Sequence, residues 1–261
     1  MIKAAVLGSP ISHSLSPKIH MKAYELLGIA GDYVAIELGE ESLRTFFEEN
    51  KDSSWTGFSL TMPLKEVVLE VCQNVSAIAT RCNSANTLYK REDIWTATST
   101  DYLAFENLLK VASNSKIAII GGGGTARAAA GALDSKVSNL DIILRNPERE
   151  EALRAAAPNT RISFLRESAP IERYDFVIQT LPSGAYDLNS KNLLRTEGTL
   201  LECLYRPWPT QIASRFLELG GKVISGQELL VEQALFQIKL FSQIEFDFDT
   251  MRKSLLEYLA I

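Results

Sequence analysis

The chain has 261 residues, 46% of them hydrophobic, and a formal net charge of −5. This length suits one large domain or two ordinary ones, and the mild negative charge argues against a nucleic-acid partner. No apolar stretch approaches membrane-spanning length, and the first apolar run is too short for a signal peptide, so we expect a cytoplasmic protein. The three cysteines and two histidines lack metal-ligand spacing, which argues against a structural zinc site or a disulfide framework.

The amino-terminal third of the chain alternates short apolar runs with helical patterns. It predicts strands over 2–7, 33–38 and 57–60 and helices over 17–27, 40–50 and 66–72. Ser16 before Pro17 is typical of a helix start, so we assign Ser16 a capping role. Ser14 has no such role. It is either a simple turn serine or a ligand for an anion beside the helix N-terminus.

Three polar residues of this part follow or precede predicted strands. Lys65 stands just past the third strand, where open α/β sheets place ligands; it either serves a reacting oxygen or is a solvated lysine at a helix start. Asn86 lies in RCNSANTLYK, which is either an asparagine turn or a set of donors and acceptors for a hydroxylated ligand. Asp101, between a strand over 94–98 and a helix over 102–111, either caps that helix or partners Lys65.

A glycine-rich stretch follows the linker 112–115. The apolar run IAIIG leads into four glycines and a helix-forming run, which fits G-x-G-x-x-A with Gly121, Gly123 and Ala126. The first glycine makes the turn, the second lets a pyrophosphate approach, and the small third residue lets the helix pack on the strand. Such a turn can serve packing alone. A further strand over 140–144 completes a βαβ unit, however, and favours dinucleotide binding.

The residues after this second strand bear on the choice of cofactor. An NAD site has an acid about 20 residues after the glycines to hold the ribose 2′-hydroxyl. Here Arg145 and Arg149 stand instead. Guanidinium groups can clamp a 2′-phosphate with forked, charge-assisted hydrogen bonds, so NADP is favoured over NAD. Their placement near a helix start, where cations oppose the dipole, argues against two ordinary solvated arginines.

The remaining elements complete a doubly wound sheet. The pattern predicts strands over 161–165, 176–180, 199–205 and 222–225 and helices over 149–157, 210–219, 226–241 and 248–259. The loops 179–184 and 204–207 follow strands at the edge that carries the glycine turn, so we expect them to border the nicotinamide. The predicted fold is therefore a two-domain α/β protein. Residues 1–101 with 235–261 form a substrate domain, 102–234 form a Rossmann-type NADP-binding domain, and the last helices pack on the first domain.

Eight sequence blocks, in order and along nearly the whole chain, resemble the shikimate dehydrogenase family. They are GSPISHSLSPKIH, SLTMPLK, SANT, STD, GGGGTARA, LRNPER, LYRPWPT and GQELLVEQA. The resemblance implies a reversible, NADP(H)-dependent reduction of 3-dehydroshikimate to shikimate in the aromatic amino-acid pathway. It implies small-molecule partners, no membrane and a monomer or homodimer.

The resemblance also assigns roles position by position. Lys65 and Asp101 would be the catalytic pair. The substrate would be held by Ser14, Ser16, Thr61, Asn86 and Gln233. The cofactor would be held by Gly121, Gly122, Gly123, Gly124, Thr125, Ala126, Arg145, Asn146, Arg149, Thr180, Leu181, Tyr205 and Gly226.

Three departures from the family pattern leave substrate choice open. This chain has Ser59, Ser99 and Tyr102 where the family usually has asparagine, asparagine and glycine. A quinate-related paralogue and a catalytically weakened NADP-binding ligand sensor therefore remain as alternatives. A dehydrogenase of folate one-carbon units ranks below them, because a tyrosine and a lysine separated along a helix, with an aromatic stacking surface, are not found around Lys65.

Overall fold

The structure, a computed structural model, describes residues 1–186 and 191–260. Its strands are β1 (Ile2–Gly8), β2 (Gly31–Glu37), β3 (Gly57–Leu60), β4 (Asn74–Val75), β5 (Thr87–Arg91), β6 (Ile94–Thr98), β7 (Ile117–Ile120), β8 (Asn139–Ile143), β9 (Arg161–Leu165), β10 (Phe176–Gln179), β11 (Thr199–Glu202) and β12 (Lys222–Ile224). Its helices are α1 (Ser16–Leu26), α2 (Glu40–Asn50), α3 (Leu64–Val71), α4 (Ala77–Cys82), α5 (Thr100–Leu108), α6 (Gly124–Leu133), α7 (Glu150–Ala156), α8 (Gln211–Glu218), α9 (Gly226–Ser242) and α10 (Phe248–Leu259).

The chain divides into two compact units. One unit is 1–104 together with the chain from Leu230 onwards, and the other is 105–229. The division falls within α5 and within α9, so each boundary differs by a few residues from the predicted 1–101 with 235–261 and 102–234. A helix that crosses a boundary has no turn or linker signal at the division point, so its sequence does not mark it.

The first unit is built on a mixed six-stranded sheet with the order β2-β1-β3-β5-β6-β4. Strands β1, β2 and β3 run parallel, whereas β5 runs antiparallel to both β3 and β6. Because β5 is reversed, its first residue lies at the edge where β3 and β6 end. Ser59 near the end of β3 pairs with Thr87, and Thr87 pairs with Thr98 at the end of β6. The chain before β5 therefore reaches the same sheet edge as the chain after β3 and β6.

The second unit contains a fully parallel six-stranded sheet with the order β12-β11-β10-β7-β8-β9. In chain order within this sheet, that is 6-5-4-1-2-3, the doubly wound arrangement of dinucleotide-binding domains. All four residues of the central strand β7 are buried, as a strand covered by helices on both faces requires. The carboxyl ends of β7 and β10, neighbours where the strand order reverses, form the switch point at which such sheets bind ligands.

Most predicted elements are confirmed by the observed bounds. The ranges 40–50, 57–60, 94–98, 161–165 and 248–259 match without change. Two short elements, β4 and α4, were not predicted, because two and six residues are too few to show a period. No helix in the described ranges is both long and apolar enough to cross a membrane.

The start of α1 differs from its predicted form. Ser16 is the first residue of the helix and not its cap, so the assigned capping role is wrong. The hydroxyl oxygen of Ser14 instead accepts a hydrogen bond from the Ser16 backbone N–H at 3.3 Å. Serine two residues ahead of an amide is a common turn geometry that competes with a true cap. The Ser14 side chain therefore stabilises the backbone at the start of α1, whereas the Ser16 side chain makes no capping bond there.

Candidate functional site

Lys65 is the second residue of α3, directly beyond the end of β3. Its ammonium donates to Oδ2 of Asp101 at 2.6 Å, and the two side chains are 20% and 12% exposed. Such limited exposure desolvates both charges, and each offsets part of that cost for the other. Lys65 is thus a paired lysine of a half-buried site, not a solvated lysine at a helix start.

Asp101 lies inside the first turn of α5, so it does not cap the helix from outside. The hydroxyl oxygen of Ser99 accepts a hydrogen bond from the Tyr102 N–H at 3.3 Å, which is the bond expected of an N-terminal cap. The Ser99 side chain therefore pairs one of the backbone N–H groups that the first turn of α5 leaves without a helical partner. The Asp101 carboxylate accepts a hydrogen bond from Lys65 on Oδ2 and one from Asn86 on Oδ1, the latter at 2.8 Å.

Asn86 connects the parts of this cluster and is only 3% exposed. Its Nδ2 donates to the Asp101 carboxylate at 2.8 Å and to Oε1 of Gln233 at 3.2 Å. Its Oδ1 accepts the backbone N–H of Thr100 at 2.7 Å. The reversed strand β5 places Asn86 between the ends of β3 and β6, which explains why one amide can reach groups from both. Both the donor and the acceptor of this amide are used to fix neighbouring polar groups.

Gln233 and Gln237 lie one helical turn apart on α9, so their side chains share a face. Gln233 Nε2 donates to the Leu230 carbonyl at 2.8 Å, which leaves its Oε1 turned to Asn86. Gln237 Nε2 donates to Thr87 Oγ1 at 3.0 Å, and its Oε1 accepts from Ser59 Oγ at 2.8 Å. The face of α9 that carries these amides therefore contacts the ends of β3 and β5.

The hydrogen bonds continue from Ser59 towards α1. The Tyr33 hydroxyl donates to Ser59 Oγ at 2.6 Å and also hydrogen-bonds with the Ser16 side chain. Burial raises the pKa of Tyr33, so this hydroxyl keeps its proton. One continuous hydrogen-bonded network therefore links Ser16 through Ser59 and Gln237 to Asn86, and from there to the Lys65–Asp101 pair. We call it the buried polar network.

Sequence reasoning missed most of this network. Tyr33, Thr100 and Gln237 carried no signal of their own, and Ser59 was noted only as a departure from the family pattern. The spacing of Gln233 and Gln237 was the available clue, since two amides one turn apart on a largely buried helix must both find partners.

The other predicted substrate residues lie at the same sheet edge. Thr61 stands in the turn between β3 and α3, and its N–H donates to the Leu7 carbonyl at 3.0 Å. A side chain on Gly8 would collide with the Thr61 methyl group, so glycine is needed for this close approach. Ser14 follows β1, the neighbour of β3, and is half-buried. Hydrogen bonds thus join Lys65, Asn86, Asp101 and Gln233 directly and Ser16 through the buried polar network, while Ser14 and Thr61 lie at the same sheet edge.

His20 is fully buried beside the network. Its ring stacks on Tyr33 with centroids 3.9 Å apart, and its Nε2 lies 3.3 Å from Oε1 of Gln237. Tyr24 and Phe241 complete the ring contacts around it. Burial lowers the pKa of His20 from 6.5 to about 3, and the hydrogen bond to Gln237 opposes this only in part. The imidazole is therefore neutral in the folded protein.

This depressed pKa makes stability depend on pH in one direction. The unfolded chain binds the His20 proton below pH about 6.5 and the folded chain only near pH 3. Stability is complete above that window and falls as the pH drops through it, by up to about 1.4 kcal/mol per pH unit. In urea unfolding between pH 7 and 4, His20→Gln should lose less free energy of unfolding than the wild type. His13→Gln, at an exposed histidine, is the matched control; parallel curves for all three proteins would contradict the assignment.

The glycine turn of the second unit leads from β7 into α6. Gly121 has a φ of +119°, which L-amino acids rarely adopt, and a side chain there would collide with Thr180 Oγ1 and contact Leu181. Gly123 is the cap residue of α6, no side-chain cap bond is made there, and a Cβ added to it would meet nothing within 4 Å. The first amides of α6 are thus approachable through open space. This arrangement fits a diphosphate held by a helix N-terminus.

The predicted residues after β8 follow the strand that neighbours β7, from which the glycine turn leads. The stem of Arg149 lies against Gly122, where an added Cβ would come within 3.0 Å of the Arg149 Cβ. Asn146 caps a short 3₁₀ turn, because its Oδ1 accepts the Glu148 N–H at 3.0 Å. Arg145 is exposed at the end of β8. Asn146 therefore stabilises a turn, while Arg145 and Arg149 follow β8 at the sheet edge that carries the glycine turn.

The remaining predicted cofactor residues lie at the ends of neighbouring strands. Thr180 follows β10, and its hydroxyl donates to the Ile120 carbonyl at 2.8 Å. Gly226 approaches the backbone of Leu204 and Tyr205 so closely that a side chain there would collide with both. Thr125 and Ala126 lie in the first turn of α6, with Ala126 fully buried. This placement is compatible with the predicted roles.

Comparisons with known proteins point to one family. The model of the shikimate dehydrogenase substrate binding domain matches residues 6–88. The shikimate dehydrogenase of Mycobacterium tuberculosis superposes with a TM-score of 0.88 at 30% identity, over 99% of this chain and 100% of that chain. A Thermus thermophilus enzyme solved with NADP(H) and shikimate has a TM-score of 0.85 at 27% identity, over 98% and 99% of the two chains. Shikimate dehydrogenase (NADP(+)) of an Exiguobacterium species is 29% identical over 98% of both chains.

Proposed function

This chain belongs to the shikimate dehydrogenase family, and we propose that it catalyses the reversible, NADP(H)-dependent reduction of 3-dehydroshikimate to shikimate. The observation that carries this proposal is the hydrogen-bonded cluster of Lys65, Asp101, Asn86 and Gln233. The cluster offers one ammonium and two amides at a single sheet edge. A small polyhydroxylated anion requires such convergent polar groups and not an apolar pocket.

Lys65 is the proposed proton donor. Its ammonium carries three donors, one of which is used by Asp101 at 2.6 Å. This ammonium can bond the oxygen of the substrate carbonyl and stabilise the negative charge that develops on it. Transfer of one Nζ proton to that oxygen completes the alcohol. When bound, NADPH supplies the hydride that the carbonyl carbon accepts.

Asp101 and Asn86 are proposed to hold Lys65 in position. Asp101 accepts from Lys65 on Oδ2 and from Asn86 on Oδ1, so the carboxylate cannot rotate without losing a bond. Asn86 is itself fixed by the Thr100 backbone at 2.7 Å. A donor fixed in this way needs little reorganisation at the moment of reaction.

The substrate carboxylate is proposed to bind at the start of α1. The Ser14 oxygen already accepts the Ser16 N–H, so its hydroxyl proton is available to an anion. Ser16 hydrogen-bonds with Tyr33 and is 5% exposed, which fixes its rotamer. Thr61, Asn86 and Gln233 are proposed to bind the ring hydroxyls. A cytoplasmic location and a monomeric or homodimeric state remain predictions from the sequence.

The direct test is reduction of NADP⁺ by shikimate, followed by nicotinamide absorbance. We expect turnover with shikimate and NADP⁺ that exceeds turnover with quinate or with NAD⁺. Turnover with quinate but not with shikimate would identify quinate as the substrate. Binding of NADPH without turnover on either acid would contradict the enzymatic function and favour a ligand sensor.

Two glycine variants separate the fold of the cofactor turn from its binding role. Gly121→Ala should destabilise the protein by about 2 kcal/mol, since the left-handed φ and the contact with Thr180 both oppose a side chain. Gly123→Ala should leave the free energy of unfolding unchanged, because its Cβ meets open space. It should nevertheless weaken NADPH binding about tenfold, since the methyl group occupies the path to the α6 amides. Urea unfolding and NADPH titration would check both; equal binding by Gly123→Ala and wild type would contradict the assigned turn.

A further inference from the structure

A cleft of about 520 Å³ lies beyond the carboxyl ends of β8 and β9 in the second unit. Its apolar wall contains Leu144, Pro147, Phe164 and Leu165. Two guanidinium side chains line it as well, Arg145 after β8 and Arg166 after β9. The last register pair of these strands is Ile143 with Leu165, so both arginines stand within two residues of it.

Both arginines are exposed, and within the described ranges neither forms an ion pair or a side-chain hydrogen bond. Two like charges that share a small cleft repel each other and are tolerated most easily when an anion lies between them. The other arginines nearby are engaged: Arg154 lies over the Phe164 ring at 4.7 Å, and Arg149 packs on the glycine turn. The guanidinium groups of Arg145 and Arg166 therefore have N–H donors that an anion in the cleft could use.

Two carboxylates also line the cleft. Glu150 lies 4.0 Å from Arg154, one turn along α7, so its charge is partly balanced. Glu167 also lines a neighbouring cavity with Tyr186, whose pKa of about 12 reflects burial first and the charges of Glu172 and Glu167 after it. An anion in the cleft would experience attraction from the two arginines and repulsion from Glu167.

We propose that Arg166 is a further cation for the adenosine 2′-phosphate of NADP(H), acting with Arg145 from the adjacent strand end. The inference rests on the proposed NADP(H) function and extends it, because Arg166 lies outside the sequence blocks that predicted the cofactor site. The edge fits, since β7 and β8 are neighbours and the glycine turn opens at the same end of the sheet. A 2′-phosphate is a dianion with three acceptor oxygens, which two forked donors from different strands can bind together.

The test is the affinity of Arg166→Gln for NADPH, NADH, adenosine 2′,5′-bisphosphate and AMP, measured by calorimetry. Loss of one charge-assisted contact should weaken NADPH and the bisphosphate about tenfold, while NADH and AMP change less than about twofold. Arg161→Gln is the matched control, because Arg161 is an exposed arginine at the opposite end of β9. It should bind all four ligands as the wild type does.

A second variant tests the sign of the effect. Glu167→Gln should tighten NADPH by a few-fold and leave NADH unchanged, because it removes a like charge from the phosphate's surroundings. Equal weakening of NADPH and NADH by Arg166→Gln, or no change in either, would overturn the role of Arg166. A wild-type protein that binds NADH as tightly as NADPH would instead overturn the proposed NADP(H) preference itself.

Discussion

Lys65→Met should reduce turnover of shikimate by at least about a thousandfold while NADPH binding stays at the wild-type level. Proton transfer by a positioned side chain contributes about 10² to 10⁴ in rate, and stabilisation of the developing oxyanion adds to it. Methionine keeps most of the apolar stem of lysine and removes the ammonium, with both its donors and its charge. Since Lys65 lies in the first unit and the glycine turn in the second, the substitution leaves the predicted cofactor residues intact.

The measurement combines steady-state kinetics with NADPH titration. Lys18→Met, at an exposed lysine of α1, is the matched control and should keep full activity. Lys65→Arg adds a second comparison, because guanidinium retains the charge but does not release a proton near neutral pH. Recovery of activity in Lys65→Arg would assign Lys65 an electrostatic role only. Activity of Lys65→Met within tenfold of wild type would contradict the catalytic assignment altogether.

Sequence periodicity predicted the long elements because their burial pattern is regular. Strand β9 and helix α10 matched their predicted bounds, and the parallel order of the second sheet followed from the alternation of strands and helices. The arrangement of the first sheet was harder to predict from the sequence. Its reversed strand β5 follows α4, a helix of six residues that shows no usable period. Without the direction of β5, the position of Asn86 could not be derived from the chain.

The residues of the candidate site also differed in how well the sequence predicted them. Lys65 and Asp101 could be placed at strand ends, and strands that run parallel end at one edge. The resemblance to a known family supplied Asn86 and Gln233, which spacing alone left ambiguous. Neither route identified Arg166 or Gln237. Their significance depends on which strand or helix lies beside them, and that is decided by tertiary packing.

Asn86→Ala should damage both stability and catalysis, and it is the second large effect that we expect. The buried amide makes bonds to Asp101, Thr100 and Gln233, and alanine leaves their polar groups without this partner. Each buried group left unsatisfied costs about 1 to 3 kcal/mol, so a loss of about 3 kcal/mol in the free energy of unfolding is expected. Turnover should fall by about a hundredfold, because the carboxylate that holds Lys65 loses its second anchor.

The isosteric variant Asn86→Asp separates these two effects. It preserves the acceptor for the Thr100 N–H but replaces the donor to Asp101 by a second carboxylate. Two adjacent carboxylates at one site raise the pKa of one of them, so the variant should gain activity and stability as the pH falls. Asn114→Ala, at an exposed asparagine, is the control for amide removal. If Asn86→Ala unfolds like the control and keeps its turnover, Asn86 neither fixes Asp101 nor supports Lys65, and the buried polar network has no role in the reaction.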